Sequence, residues 1–458
     1  MEMKKPANST WTDEQWEAIA TRGNNTLVAA AAGSGKTAVL VERIIKMITD
    51  EKDPIDVDRL LVVTFTKAAA SEMRQRIGEA IEKELGKRPS SLHLRRQLTL
   101  LNRATITTLH SFCMEILQRY SFRIDLDPAF RIADDTEALL LRRDVMETMM
   151  ETQYEQADED SPFAKLVENY GGDRDDLPIK NLILSIYEFS RSHPSPNLWL
   201  EEVLTSFQDL SLEKINQSSW FQSLMEDVAL ELKGVEALLK EAVYYAESPG
   251  GPTVYLDCLK EDLAIVNRVQ EVIHFSWEET YQEMKVSFGR LKACKGKDID
   301  EVIKNKAKDL RDNAKKRFDK VREELFSIPP QVYIDNLKEM APLMEKMIDL
   351  VRCFAEDYQK AKKEKGLVDF SDLEHFALQI LLDEESTPHN PVPSVAAMDY
   401  QAQFREVLVD EYQDTNMVQE TLLTAVCING GKENGNLFMV GDVKQSIYRF
   451  RLAEPALF

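Results

Sequence analysis

Short apolar runs alternate with stretches of helical period in the first quarter of the chain and again near residue 400. Between them the pattern is helical. Residues 27–30 predict a strand, followed by a helix from Lys36 to about Ile48. Leu60-Leu61-Val62-Val63 predicts a second strand, followed by a helix through 68–81, and 104–107 predicts a third, shorter one. Later, Val407-Leu408-Val409 runs into Asp410, and Leu437-Phe438-Met439-Val440 runs into Gly441-Asp442. Continuous apolar strands separated by helices imply a parallel sheet covered on both faces.

From about 115 to 365 helical periodicity dominates. Leu343, Met347, Leu350, Val351 and Phe354 form an apolar stripe at helical spacing, and 263–273 is a second helical segment. Breaks fall at Gly171-Gly172, at 194–196 and at 248–252. A polar stretch with three prolines, 386–394, precedes the return of the strand–helix alternation. The economical reading is an α/β domain interrupted by a helical insertion, with divisions at 1–115, 116–365 and 366–458.

Composition adds limits. The chain has 458 residues, 43% hydrophobic and 30% charged, with only 17 glycines, which suits a helix-rich globular protein. No apolar run is long enough to span a membrane, and the first residues lack the apolar core of a signal peptide. The five cysteines form no C-x-x-C pair, which points to a reducing, cytoplasmic setting. A net charge of −22 gives no general attraction to phosphate backbones. Contacts to nucleic acid must therefore be concentrated. Candidates are the basic segment 292–322, with Lys304, Lys306, Lys308, Arg311, Lys315, Lys316 and Arg317, and the group Arg95, Arg96 and Arg103. The segment reads equally as a solvated helix face paired with acids such as Glu301 and Asp309.

The most specific local signal is Ala30-Ala31-Ala32-Gly33-Ser34-Gly35-Lys36-Thr37, directly after an apolar run. A glycine-rich turn lets backbone N–H groups face phosphate oxygens, and the following helix adds the positive end of its dipole. Lys36 would reach the β- and γ-phosphates of ATP, and the Thr37 hydroxyl would ligate Mg²⁺. Ala30 stands where the general pattern has glycine. The run 407–409 then delivers Asp410 and Glu411 to the carboxyl end of a strand, where ligands bind. Asp410 would hold Mg²⁺ through water, and Glu411 would orient and deprotonate the attacking water.

The segment Asp410-Glu411-Tyr412-Gln413-Asp414-Thr415-Asn416 resembles the DExQDTN motif of superfamily 1 DNA helicases of the UvrD/Rep/RecB type. Other matches follow in order: Trp11-Thr12-Asp13-Glu14-Gln15, the run from Thr64 to Met73, Thr107-Thr108-Leu109-His110-Ser111-Phe112, Asp369-Phe370-Ser371-Asp372-Leu373, and the run from Val440 to Arg451. The run at Thr64 lacks the Asn that the family usually places before the Lys. That family tolerates Ala at the first P-loop position. Four further segments, at 29–37, 131–134, 189–194 and 438–451, narrow the resemblance to the AddA type of bacterial helicase–nuclease.

The resemblance implies a P-loop, RecA-like sheet as motor, divided by the insertion. It implies ATP and Mg²⁺ as cofactors, with Gln15 reading adenine and Gln445 sensing the γ-phosphate. It implies that Thr64, Phe65, Thr107, His110, Tyr448, Phe450 and Arg451 contact DNA: Tyr448 and Phe450 by stacking on bases of a single strand, Thr107 and His110 at the phosphate backbone, and Phe65 against a base, with packing under the sheet as its equal alternative. It further implies 3′→5′ movement, resection of duplex ends with Chi-regulated degradation, and an AddB-like partner. Neither a second RecA-like domain nor a nuclease constellation can be read up to Phe458. The expectation is therefore an N-terminal portion of a longer protein, nearly inactive by itself. Alternatives are a UvrD-type helicase without nuclease and a non-hydrolysing, ATP-gated DNA-binding module.

Overall fold

The computed structural model describes residues 5–6, 9–31, 33–172, 175–208, 210–295, 299–387, 390–431, 434–445, 453–454 and 457. The chain packs as two compact units, Met1–Leu200 with Met347–Phe458, and Glu201–Lys346. The first unit thus takes in 116–200 and 347–365, which the periodicity groups with the insertion.

The first unit is built on a five-stranded sheet. Its strands are β1 (Thr26–Ala29), β2 (Leu60–Thr64), β3 (Thr105–Thr108), β6 (Glu406–Val409) and β7 (Leu437–Gly441), in the spatial order β1-β7-β6-β2-β3. Every pairing is parallel. Between β3 and β6 in the chain lie two short strands, β4 (Arg131–Ile132) and β5 (Leu367–Val368), which pair with each other in parallel. No sequence signal announced that second sheet, because two-residue strands carry no period.

The central strands β2 and β6 are buried at every position, as a sheet covered on both faces requires. Successive side chains go to opposite layers. Leu61, Val63, Val407 and Val409 join one core with α5 (Leu109–Tyr120) and the helices Phe370–Leu381, Val395–Gln403 and Met417–Val426. Leu60, Val62 and Leu408 join the other core with α1 (Asp13–Ala20), α2 (Lys36–Ile48), α3 (Lys67–Lys87) and α4 (Leu92–Leu100). β1 lies at an edge of the sheet, and Leu27 there is 41% exposed. The predicted α/β class is what forms. The strand expected at 27–30 runs from Thr26 to Ala29, and that at 104–107 runs from Thr105 to Thr108.

The second unit is helical. Its long helices Ser219–Glu247 and Glu301–Leu325 bury residues at helical spacing, among them Val228, Leu232, Val235 and Leu239 on one and Ala307, Leu310, Ala314 and Phe318 on the other. Arg311, a candidate DNA contact by its place in the basic segment, is 4% exposed. It donates to Asp262 at 2.7 Å and to the Gly289 carbonyl. Lys304 pairs with Glu301 and Arg317 with Glu231, as the salt-bridged alternative anticipates for Glu301.

Candidate nucleotide site and nucleic-acid interface

β1 ends at Ala29, and the Ala30 N–H donates to the Gly441 carbonyl at 3.0 Å, which seats the start of the loop on the end of β7. Gly33 and Gly35 have φ of +76° and +83°, the left-handed region that a side chain disfavours. Gly35 is the N-cap of α2 and supplies no side-chain cap. The first-turn N–H groups of α2 therefore lack the partner that a Ser or Asp would give, and they open toward the loop. The Ser34 hydroxyl oxygen is buried without a hydrogen-bond partner among the described residues. Uncapped N–H groups and an orphaned hydroxyl suit a phosphate group. Ala31 is exposed beside them, and Ala32 lies outside the described residues.

Gln15 sits against this loop. Its Nε2 donates to the Ser34 carbonyl at 2.9 Å, and its Oε1 accepts from the Thr12 N–H in a capping box. Both ends of the amide are engaged by the protein itself.

The loop, β2 and β6 converge on a cavity of about 450 Å³ lined by Thr37, Thr64, Phe65, Glu72, Arg76, Asp410, Glu411, Gln413 and Gln445, among others. Residues from the two ends of the chain thus share one cleft. Lys36 Nζ donates to Gln445 Oε1 at 3.4 Å and lies 3.9 Å from Glu411 Oε2. Burial first, and the neighbouring Glu411 charge second, push the Asp410 carboxyl up to about 6. A cation would relieve that cost, and the oxygen donors Thr37 and Asp410 match the preference of Mg²⁺. Glu411 has φ of +55°, one of three non-glycine residues in that region among those described. Such a backbone costs roughly 1–3 kcal/mol and collects at functional sites.

Of the expected DNA contacts, Phe65 is half-buried in the same cleft. Thr64 is 3% exposed, and its hydroxyl donates to the Thr66 carbonyl, so it shapes the loop that carries Phe65. Thr107 is half-buried on β3, opposite Val63. His110 lies elsewhere, on a second cavity of about 490 Å³ with Arg142, Arg191, Phe370, Glu374, Asn416 and Gln419. Tyr448, Phe450 and Arg451 lie outside the described residues.

The second cavity holds groups that sequence reasoning did not single out. Phe370 is 49% exposed, and its ring meets the His110 ring edge-on at 5.3 Å. Glu374, buried and held above its ordinary pKa by that burial, lies 3.3 Å from His110 Nε2 and accepts from Gln419. Arg191 is anchored to Ser371 and Asp372, and fully buried Lys362 donates to Asp369 and Asp372. An exposed aromatic at the first position of the helix Phe370–Leu381 was the available signal, since it stands inside the Asp369–Leu373 motif. His193 lies between two helices, as a turn residue would, and stacks on Trp199 at 5.1 Å.

No helix among the described residues is long and apolar enough to cross a membrane. The chain matches the family model of the UvrD/REP helicase N-terminal domain over residues 11–458. It is 52% identical over 455 residues to an ATP-dependent helicase/nuclease subunit from Geobacillus kaustophilus, covering 99% of this chain and 36% of that protein. Against the protein of the same name from Bacillus pumilus the identity is 50% over 461 residues, covering 100% of this chain and 37% of the relative. The Bacillus cereus relative, also so named, is 47% identical over 456 residues, covering 99% and 36%. The chain therefore spans little more than a third of the length of these curated relatives.

Proposed function

The chain belongs to the UvrD/REP helicase family, and from this premise we propose that it is the ATP-binding part of a DNA motor in an AddA-type helicase–nuclease. The observation that carries the reading is the convergence of Thr37, Asp410, Glu411 and Gln445 on one cleft at the mouth of an uncapped helix, with Lys36 bonded to Gln445 and 3.9 Å from Glu411. We place the motor in 1–115 and 366–458, the two stretches that supply the five strands of the main sheet.

In this reading α2 and Lys36 bind the phosphates of ATP, and Gln15 lies on the adenine side of the loop. Thr37 and Asp410 hold Mg²⁺, which when bound neutralises charge on the transferring phosphoryl group. Glu411 orients the attacking water and accepts its proton. Gln445 contacts the γ-phosphate in place of its bond to Lys36. Phe65, Thr107 and His110 contact the DNA single strand, and the motif assigns the same role to Tyr448, Phe450 and Arg451. The complete enzyme would work in the cytoplasm with an AddB-like partner, unwinding and resecting duplex ends under Chi control.

The test is Lys36→Ala in the intact protein from its natural gene. DNA-stimulated ATP hydrolysis and unwinding are expected to be abolished while DNA binding persists. Unwinding at the wild-type rate would overturn the motor reading.

A further inference from the structure

The geometry points to Gln413 as a positioning residue that fixes the Glu411 carboxylate and ties it to the turn carrying Gln445. This rests on the motor reading above and adds a residue to it. Gln413 is 1% exposed, and its amide uses both ends. Nε2 donates to Glu411 Oε2 at 2.7 Å, with a longer contact to Asp414, while Oε1 accepts from the Asp442 N–H at 2.9 Å. The orientation of the amide is fixed by its partners, because a backbone N–H demands an acceptor and a carboxylate demands a donor.

The circuit closes. Asp442 Oδ2 accepts from Gln445 Nε2 at 2.6 Å, Gln445 Oε1 accepts from Lys36, and Lys36 lies 3.9 Å from Glu411. A nucleotide that draws Gln445 off Lys36 therefore pulls on Asp442, and through Gln413 on Glu411. The left-handed backbone at Glu411 makes the link feasible. It turns the chain out of β6 into the short helical turn Tyr412–Asp414, which brings Gln413 back over the end of β7. Neither Glu nor Leu at 413 can serve both partners, since Glu lacks the donor and Leu lacks both groups.

The experiment compares wild type, Gln413→Glu and Gln413→Leu in the intact protein. DNA-stimulated kcat and affinity for a fluorescent ATP analogue are measured for each. Displacing a catalytic group by about 1 Å costs about 10²-fold. Both variants are expected to lose kcat on that order, with analogue affinity within threefold of wild type. Combined with Gln445→Ala, the Gln413→Glu loss should fall well short of the product of the single losses, because both act through Asp442. A kcat within twofold of wild type in Gln413→Glu overturns the assignment. So does a loss matched by equal loss of analogue binding, or a fully multiplicative double variant. Wild-type hydrolysis that survives Lys36→Ala would instead strike the motor reading, and this inference with it.

Discussion

Arg43, near the middle of α2, reaches Glu406, the first residue of β6, with Nε 2.5 Å from Oε1. Both are buried, and the Arg43 guanidinium also donates to the Ala18 carbonyl of α1 and lies 4.2 Å from the centre of the Phe438 ring on β7. One side chain thus joins the helix after the glycine-rich loop to the strand that ends beside Asp410. Neither residue lines the nucleotide cleft.

Removing one partner of such a pair leaves a buried charge uncompensated, at a cost of roughly 3–5 kcal/mol. Glu406→Ala is expected to lower unfolding stability by that amount, and Arg43→Met with Glu406→Leu together by much less. Urea unfolding of the single and double variants checks this. Equal losses in the two would show that the pair itself, not the orphaned charge, carries the energy.

His375 gives a pH dependence of known sign. Burial foremost, then the charge of Arg191, lowers its pKa from 6.5 to about 3, and its Nε2 bonds the Arg191 carbonyl at 2.9 Å. The unfolded chain binds a proton that the native state refuses between those values, so stability falls as pH drops below 6.5. At pH 5 the loss from this site is about 2 kcal/mol, roughly 1.5 units at about 1.36 kcal/mol each. His375→Gln retains a donor for the carbonyl and does not titrate. The stability difference between pH 7.5 and pH 5 should shrink by about 2 kcal/mol in the variant, and an unchanged difference would refute the assignment.

Phe370 offers an open aromatic face beside His110. Base stacking is worth about 1–3 kcal/mol by alanine substitution. Phe370→Ala is therefore expected to weaken binding of oligo-dT to the intact protein by about 5- to 150-fold, read by fluorescence anisotropy at fixed salt. Affinity equal to wild type would remove this cavity from the single-strand path.

The candidate site was legible unevenly. The candidate phosphate loop and the pair Asp410 and Glu411 stand out in the sequence because each is a short contiguous run whose proposed chemistry depends on local backbone geometry. His110 was read in its motif, but its neighbours Glu374, Phe370 and Arg191 come from another helix and a connecting turn. The basic segment 292–322 looked the same in sequence whether it faced solvent or not. Burial of Arg311 was decided by the tertiary packing that brings Asp262 and the Gly289 carbonyl to it from distant parts of the chain.

Local pattern accounts for the class of sheet, the places of its strands and the choice of candidate phosphate-binding groups, because apolar runs and glycine-rich turns follow from periodicity and backbone freedom. Which of those groups meet one another was settled on folding. The order β1-β7-β6-β2-β3 brings Gly441 beside Ala29 and Val409 between Val63 and Met439. That juxtaposition, with the left-handed turn at Glu411, closes the circuit from Lys36 through Gln445, Asp442 and Gln413 to Glu411. Hydrogen bonds between residues hundreds of positions apart are set by strand order and register, which no local pattern encodes.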